Sequence, residues 1–82
     1  MGKKHADKYR LIGKAISEYR QKKEITQKEL ADKIGVSLSY ISKIEAPNSK
    51  KSFSLEILLD IADELDVSIH DLLKYIKWKF LK

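Results

Sequence analysis

The chain has 82 residues, with 17 lysines and arginines against 12 aspartates and glutamates, a net charge of +5 and no cysteine. At 43% hydrophobic and 35% charged it is too apolar for disorder, lacks the roughly 20-residue apolar run that spans a bilayer, and has no thiol for a disulfide or zinc site. What remains is one small ordered domain, expected in a reducing cytoplasm because no leader-like segment opens the chain, with a positive surplus suited to polyanionic partners.

No run of alternating β-branched and aromatic residues predicts a strand, so the expectation is all-α, with five helices. Residues 1–7 read as a basic tail: Lys3, Lys4 and His5, with Lys8 just beyond, are expected to be disordered, the alternative being an arm that reaches phosphates or a minor groove. From about Lys8 to Lys23 a first helix carries Ile12, Ile16 and Tyr19 on one face and Lys14, Glu18 and Gln21 on the other. Thr26-Gln27-Lys28-Glu29 is a capping box that opens a second helix striped by Leu30 and Ile34. Gly35 stops that helix, and Ser37 caps a third from Leu38 to about Glu45, with Ile41 and Ile44 turned inward.

Pro47 bars continuation, so Ala46 to Ser52 reads as a polar, basic loop. Ser54 caps a fourth helix in which Leu55, Leu58, Leu59, Ala62 and Leu65 are expected to face the core. Ser68-Ile69-His70-Asp71 is a second capping box. It opens a fifth helix striped by Ile69, Leu72, Leu73 and Ile76 and expected to extend through Leu81. Tyr75, Trp78 and Phe80 cannot all join that stripe. Tyr75, Ile76, Trp78, Phe80 and Leu81 are therefore assigned to a homodimer interface, the plain alternative being packing back onto the first helix.

Between Gln27 and Ile44 the order Gln27, Leu30, Ala31, Ile34, Gly35, Val36, Ile41, Ile44 describes two short helices around a tight glycine turn, the helix-turn-helix pattern. A small Ala31 lets the helices approach, and Gly35 sets them at a large angle. Together with Tyr40-Ile41-Ser42-Lys43-Ile44-Glu45, Leu55-Glu56-Ile57-Leu58-Leu59-Asp60-Ile61-Ala62 and Leu65-Asp66-Val67-Ser68, this resembles the phage-repressor and Cro type of helix-turn-helix, the xenobiotic-response-element (XRE) family, over about Ile12 to Leu73. The resemblance implies a five-helix, lambda-repressor-like DNA-binding domain over residues 8–82, with its helix-turn-helix unit at about 27–45. Two positions depart from the family pattern: Glu24 stands where glycine is usual, and Ala46-Pro47 stands where a glycine commonly follows the third helix.

By the same resemblance the third helix enters the DNA major groove, which directs Ser37, Leu38, Ser39, Ser42 and Lys43 at base edges or flanking phosphates, with Tyr40 and Lys28 alongside. Gln27 would hold a backbone phosphate. On chemical grounds Lys43 can donate to guanine O6 or N7, Ser39 can donate or accept, and Leu38 can meet a thymine methyl. Asn48, Lys50 and Lys51 in the loop suit phosphate contacts, which position without reading sequence. Arg20 and Glu45 match family positions that pair across the first and third helices. The plain alternative for each polar face is solvation.

An enzyme is not expected: no glycine-rich phosphate loop is present, and the histidines, His5 and His70, sit in the tail and in a capping box. One credible histidine does not make a metal site, and no cofactor or small-molecule ligand is called for. The expectation is a regulator of transcription that binds double-stranded DNA as a dimer on a pseudo-palindromic operator. Its rival is an antitoxin-like or adaptor module that mainly binds another protein.

Overall fold

A computed structural model describes residues 2–76 of the chain. Among the described residues, five α-helices follow a 3-10 turn at Gly2–His5: α1 (Ala6–Lys22), α2 (Gln27–Ile34), α3 (Leu38–Glu45), α4 (Leu55–Leu65) and α5 (Ile69–Leu72). Among the described residues there is no strand.

Side-chain oxygens start four of these helices at the expected residues. Thr26 Oγ1 accepts from the Glu29 N–H while the Glu29 carboxylate accepts from the Thr26 N–H at 2.8 Å. Ser68 and Asp71 repeat that exchange. Ser37 and Ser54 each accept from the N–H three residues on. Each such cap contributes about 1 kcal/mol. Gly35 takes the left-handed conformation, φ 77°, that turns the chain out of α2. Glu24 (φ 59°) and Asp66 (φ 56°) adopt the same conformation without being glycine.

Ile16 of α1, Leu30 of α2, Ile41 and Ile44 of α3, Ile61 and Leu65 of α4 and Leu72 of α5 are fully buried and form one core. Every helix thus lays a stripe on a shared centre. Gly13 permits a close approach within it: a Cβ at that position would overlap the carbonyl oxygen of Ile44, so α1 and α3 touch backbone to backbone.

Three expectations change. The first helix starts earlier than about Lys8: α1 begins at Ala6, its acidic first-turn residue Asp7 meets Arg10 at 3.1 Å, and the 3-10 turn precedes it. In α4 the core face is Leu58, Ile61, Ala62 and Leu65, whereas Leu55 and Leu59 are 66% and 45% exposed. At about 100° of rotation per residue, a helix centred on Ile61 and Leu65 carries Leu59 away from the core.

The fifth helix does not run on. It ends at Leu72, and Leu73 to Ile76 tighten into turns in which Lys74 donates to Asp71 and Ile76 to Leu73. Tertiary contacts hold that bend. Ile76 is buried in the protomer's own core. The Tyr75 hydroxyl donates to Glu18 on α1, and the Lys74 ammonium lies 3.5 Å from Glu18 and 4.6 Å from the centre of the Tyr19 ring. Tyr75 and Ile76 therefore serve the intramolecular packing that was the alternative to a dimer interface, while Trp78, Phe80 and Leu81 lie outside the described residues. Just beyond the polar loop after α3, Phe53 is buried, edge-on to Tyr9 with ring centres 4.9 Å apart, and ties the loop to α1.

Candidate nucleic-acid interface

α2 and α3 form the helix-turn-helix, joined through Gly35, Val36 and Ser37. Ile41 and Ile44 anchor the inner side of α3. Its outer side presents Ser37, Leu38, Ser39 and Lys43, all exposed, with Tyr40 and Ser42 half-buried at the edges. Leu38, 47% exposed, is an apolar contact left in water at the start of the helix.

Behind that face stands a hydrogen-bonded network. The Arg20 guanidinium grips the Glu45 carboxylate with two bonds, Nε to Oε2 at 2.8 Å and a terminal nitrogen to Oε1 at 2.9 Å, and gives a third, at 2.7 Å, to the carbonyl of Ile25. The two side chains are only 11% and 4% exposed. The Glu45 hydrogen bond raises the Arg20 pKa above its ordinary value. Such a planar two-bond fit is what guanidinium geometry favours, and removing one partner from a buried pair costs about 3–5 kcal/mol. The pairing expected of Arg20 and Glu45 is therefore present, and it clamps the end of α3 to α1.

Gln27, the first residue of α2, joins this network through one amide proton and its amide oxygen. Its Nε2 donates to Glu45 Oε1 at 2.9 Å, and its Oε1 accepts from Ser42 Oγ at 3.0 Å. Periodicity could not reveal this link, because Gln27 and Ser42 belong to different helices whose angle only the glycine turn sets.

Lys28 faces solvent and pairs with Asp32 one turn on at 3.1 Å, an exposed contact of little energy. Lys51 of the loop places its ammonium 4.9 Å from the centre of the Tyr40 ring, which couples loop and α3 through a cation–π contact. Burial raises the Tyr40 hydroxyl above its ordinary pKa. Asn48 and Lys50 are exposed. The structure thus brings α3, the start of α2 and the lysine loop onto one side of the molecule. The Phe53–Tyr9 contact, which hydrophobic patterning in a loop does not signal, keeps the loop there.

A shallow groove of about 360 Å³ runs between α1 and the loop, lined by Arg10, Lys14, Glu18, Glu45 and Pro47 among others. Among the described residues no group of three or more His, Cys, Asp and Glu gathers to hold a metal. None of the described helices is long and apolar enough to cross a membrane.

The helix-turn-helix family model matches residues 16–72. The HTH-type transcriptional regulator SinR of Bacillus subtilis (strain 168) is 43% identical over 63 residues, which is 77% of this chain, and SinR of Bacillus licheniformis matches equally well. The match spans 56% of the length of these relatives. Among solved structures, SinR, described as the master regulator for biofilm formation, in complex with DNA superposes with a TM-score of 0.68 at 44% identity, covering 76% of this chain and 97% of that one. A SinR–SinI complex superposes with a TM-score of 0.69 at 36% identity, covering 85% and 71%. Capping boxes, glycine turn, clamped third helix and five-helix core coincide with these similarities, and the chain belongs to the helix-turn-helix family of the XRE, phage-repressor type.

Proposed function

We propose that the protein binds double-stranded DNA sequence-specifically and regulates transcription from the cytoplasm. The observation that carries this is α3 itself: its apolar side and its terminal Glu45 are locked to the body, while Ser37, Leu38, Ser39 and Lys43 stand outward, exposed among the described residues. A rigid helix with a free polar face and flanking lysines matches a major groove between two phosphate ridges. The SinR structure solved with DNA supports the same use of the fold.

In this reading Lys43 and Ser39 read base edges, Leu38 meets a thymine methyl, and Ser37 and Tyr40 lie along the groove wall. Lys28, Asn48, Lys50 and Lys51 hold phosphates, as does the second amide proton of Gln27, which the network leaves unused. The protein acts as a dimer on a pseudo-palindrome, with recognition helices roughly 34–36 Å apart. Since Tyr75 and Ile76 are occupied within the protomer, Trp78, Phe80 and Leu81 are the anchors proposed for that contact.

Selection of bound duplexes from random DNA, followed by binding at several salt concentrations, tests the proposal. Log affinity should fall steeply with log salt, because phosphate contacts release counterions. Lys43→Ala should cost about 1–3 kcal/mol on the best site and relax preference at one position, whereas Lys50→Ala and Lys51→Ala should weaken all sequences alike and lower the salt slope. A salt-independent affinity would refute DNA binding, and sedimentation of a monomer at high micromolar concentration would refute the dimer.

A further inference from the structure

The network behind α3 fixes the direction of its protons, and that direction reaches the surface at Ser42. Glu45, gripped by a guanidinium, only accepts. The Gln27 group 2.9 Å from Glu45 Oε1 is therefore the amide nitrogen, since an amide oxygen there would oppose a second acceptor. This orientation turns Gln27 Oε1 toward α3, 3.0 Å from Ser42 Oγ. An amide oxygen also only accepts, so the hydroxyl proton of Ser42 is committed to Gln27. What the half-buried Ser42 presents outward, one residue before the exposed Lys43, is lone pairs.

We infer that Ser42 is an acceptor-only reader: on its operator it takes a hydrogen bond from an exocyclic amine, adenine N6 or cytosine N4, and rejects guanine O6 and N7 and thymine O4. The inference rests on the DNA-binding function proposed above and specifies the base chemistry of one of its contacts. An isolated serine hydroxyl rotates to donate or accept and discriminates weakly; the relay from Arg20 through Glu45 and Gln27 removes that freedom. The same polarity excludes Ser42 from phosphate binding, because phosphate oxygens are acceptors.

The full chain is first used to select its best duplex from random sequence. Each adenine in that duplex is then replaced by purine and each cytosine by pyrimidin-2-one, both of which lack the exocyclic amine, and each guanine by 7-deazaguanine. Affinities are compared for the wild type, Ser42→Ala and Gln27→Ala, with matching far-UV circular dichroism as the check that each variant folds. At one position, loss of the amine should weaken the wild type about 3- to 10-fold and leave Ser42→Ala unaffected, a comparison that cancels any effect of the analogue on the duplex itself. Gln27→Ala releases the hydroxyl, so at that position its preference for an amine should flatten, even though its affinity drops on every duplex through the lost phosphate contact. Coupling of Ser42→Ala to no amine, or to a 7-deazaguanine position, with wild-type binding intact, overturns the inference and leaves the DNA-binding function standing. Failure to select any duplex overturns both.

Discussion

Replacing Gly13 by alanine sets two physical effects against each other with opposite signs. Gly13 lies in the middle of α1, where alanine is favoured over glycine by about 0.8–1.0 kcal/mol. Propensity alone therefore predicts a stabilised protein. The tertiary structure predicts the reverse, because the added Cβ would stand 3.1 Å from the carbonyl carbon of Ile44 and 3.6 Å from the Cα of Glu45, and would overlap the Ile44 carbonyl oxygen. Relief requires α1 and α3 to separate by roughly 1 Å, and a gap of that size forfeits about a quarter to a half of each dispersion contact across it. Backbone, unlike the end of a flexible side chain, cannot swing aside. The cost belongs at or above the upper end of the about 1–3 kcal/mol usual for overpacking. After the propensity gain, Gly13→Ala should lose about 2–3 kcal/mol, or about 10–20 °C in melting temperature for a domain of this size. Urea and thermal unfolding followed by circular dichroism measure this. A variant as stable as the wild type, or more so, would show that α1 and α3 are not in backbone contact and would remove Gly13 as the seat of the recognition helix.

Arg20→Met should destabilise the fold by about 3–5 kcal/mol by stranding the buried Glu45, and Arg20→Met with Glu45→Met should recover most of that loss, which a double-mutant cycle measures. Glu24→Gly should stabilise by about 0.5–1 kcal/mol in urea titration, since relief of a left-handed non-glycine residue outweighs the added freedom of the unfolded chain. The Glu29 and Asp71 carboxylates are held below their ordinary pKa values of 4.5 and 3.8, chiefly by the backbone N–H groups of Thr26 and Ser68. Glu18 is held below its ordinary 4.5, chiefly by the Tyr75 hydroxyl. A carboxyl lowered in the folded state contributes fully above its unfolded pKa and is lost as pH falls through the folded value. Stability should therefore decline below about pH 4.5. Glu29→Gln with Asp71→Asn, which keep an accepting oxygen at each cap, should flatten that decline in denaturation curves recorded from pH 7 to 2.5.

Local chemistry sufficed for much of this molecule. Thr26, Ser37, Ser54 and Ser68 cap helices because a hydroxyl satisfying an orphan N–H is an interaction within one turn, and Gly35 marks its turn because only glycine enters the left-handed region without strain. Ile12, Ile16, Leu30, Ile41 and Ile44 could be assigned to the core from helical period alone. The helix-turn-helix, spanning fewer than twenty residues, was legible for the same reason. Periodicity does not say how far a stripe turns when a second helix competes for the same centre, so by pattern alone Leu55 and Leu59 read as inward, whereas packing buries Ile61 and leaves both leucines exposed. Nor does it show when distant partners outbid a helix: Glu18 and the core captured Tyr75 and Ile76 and bent the chain after Leu72. Gly13 carried a sequence signal, a costly glycine within an amphipathic helix, whose meaning needs Ile44 beside it. The proton relay from Arg20 to Ser42 exists only because three helices, set at angles by packing, bring together residues up to 25 positions apart in sequence.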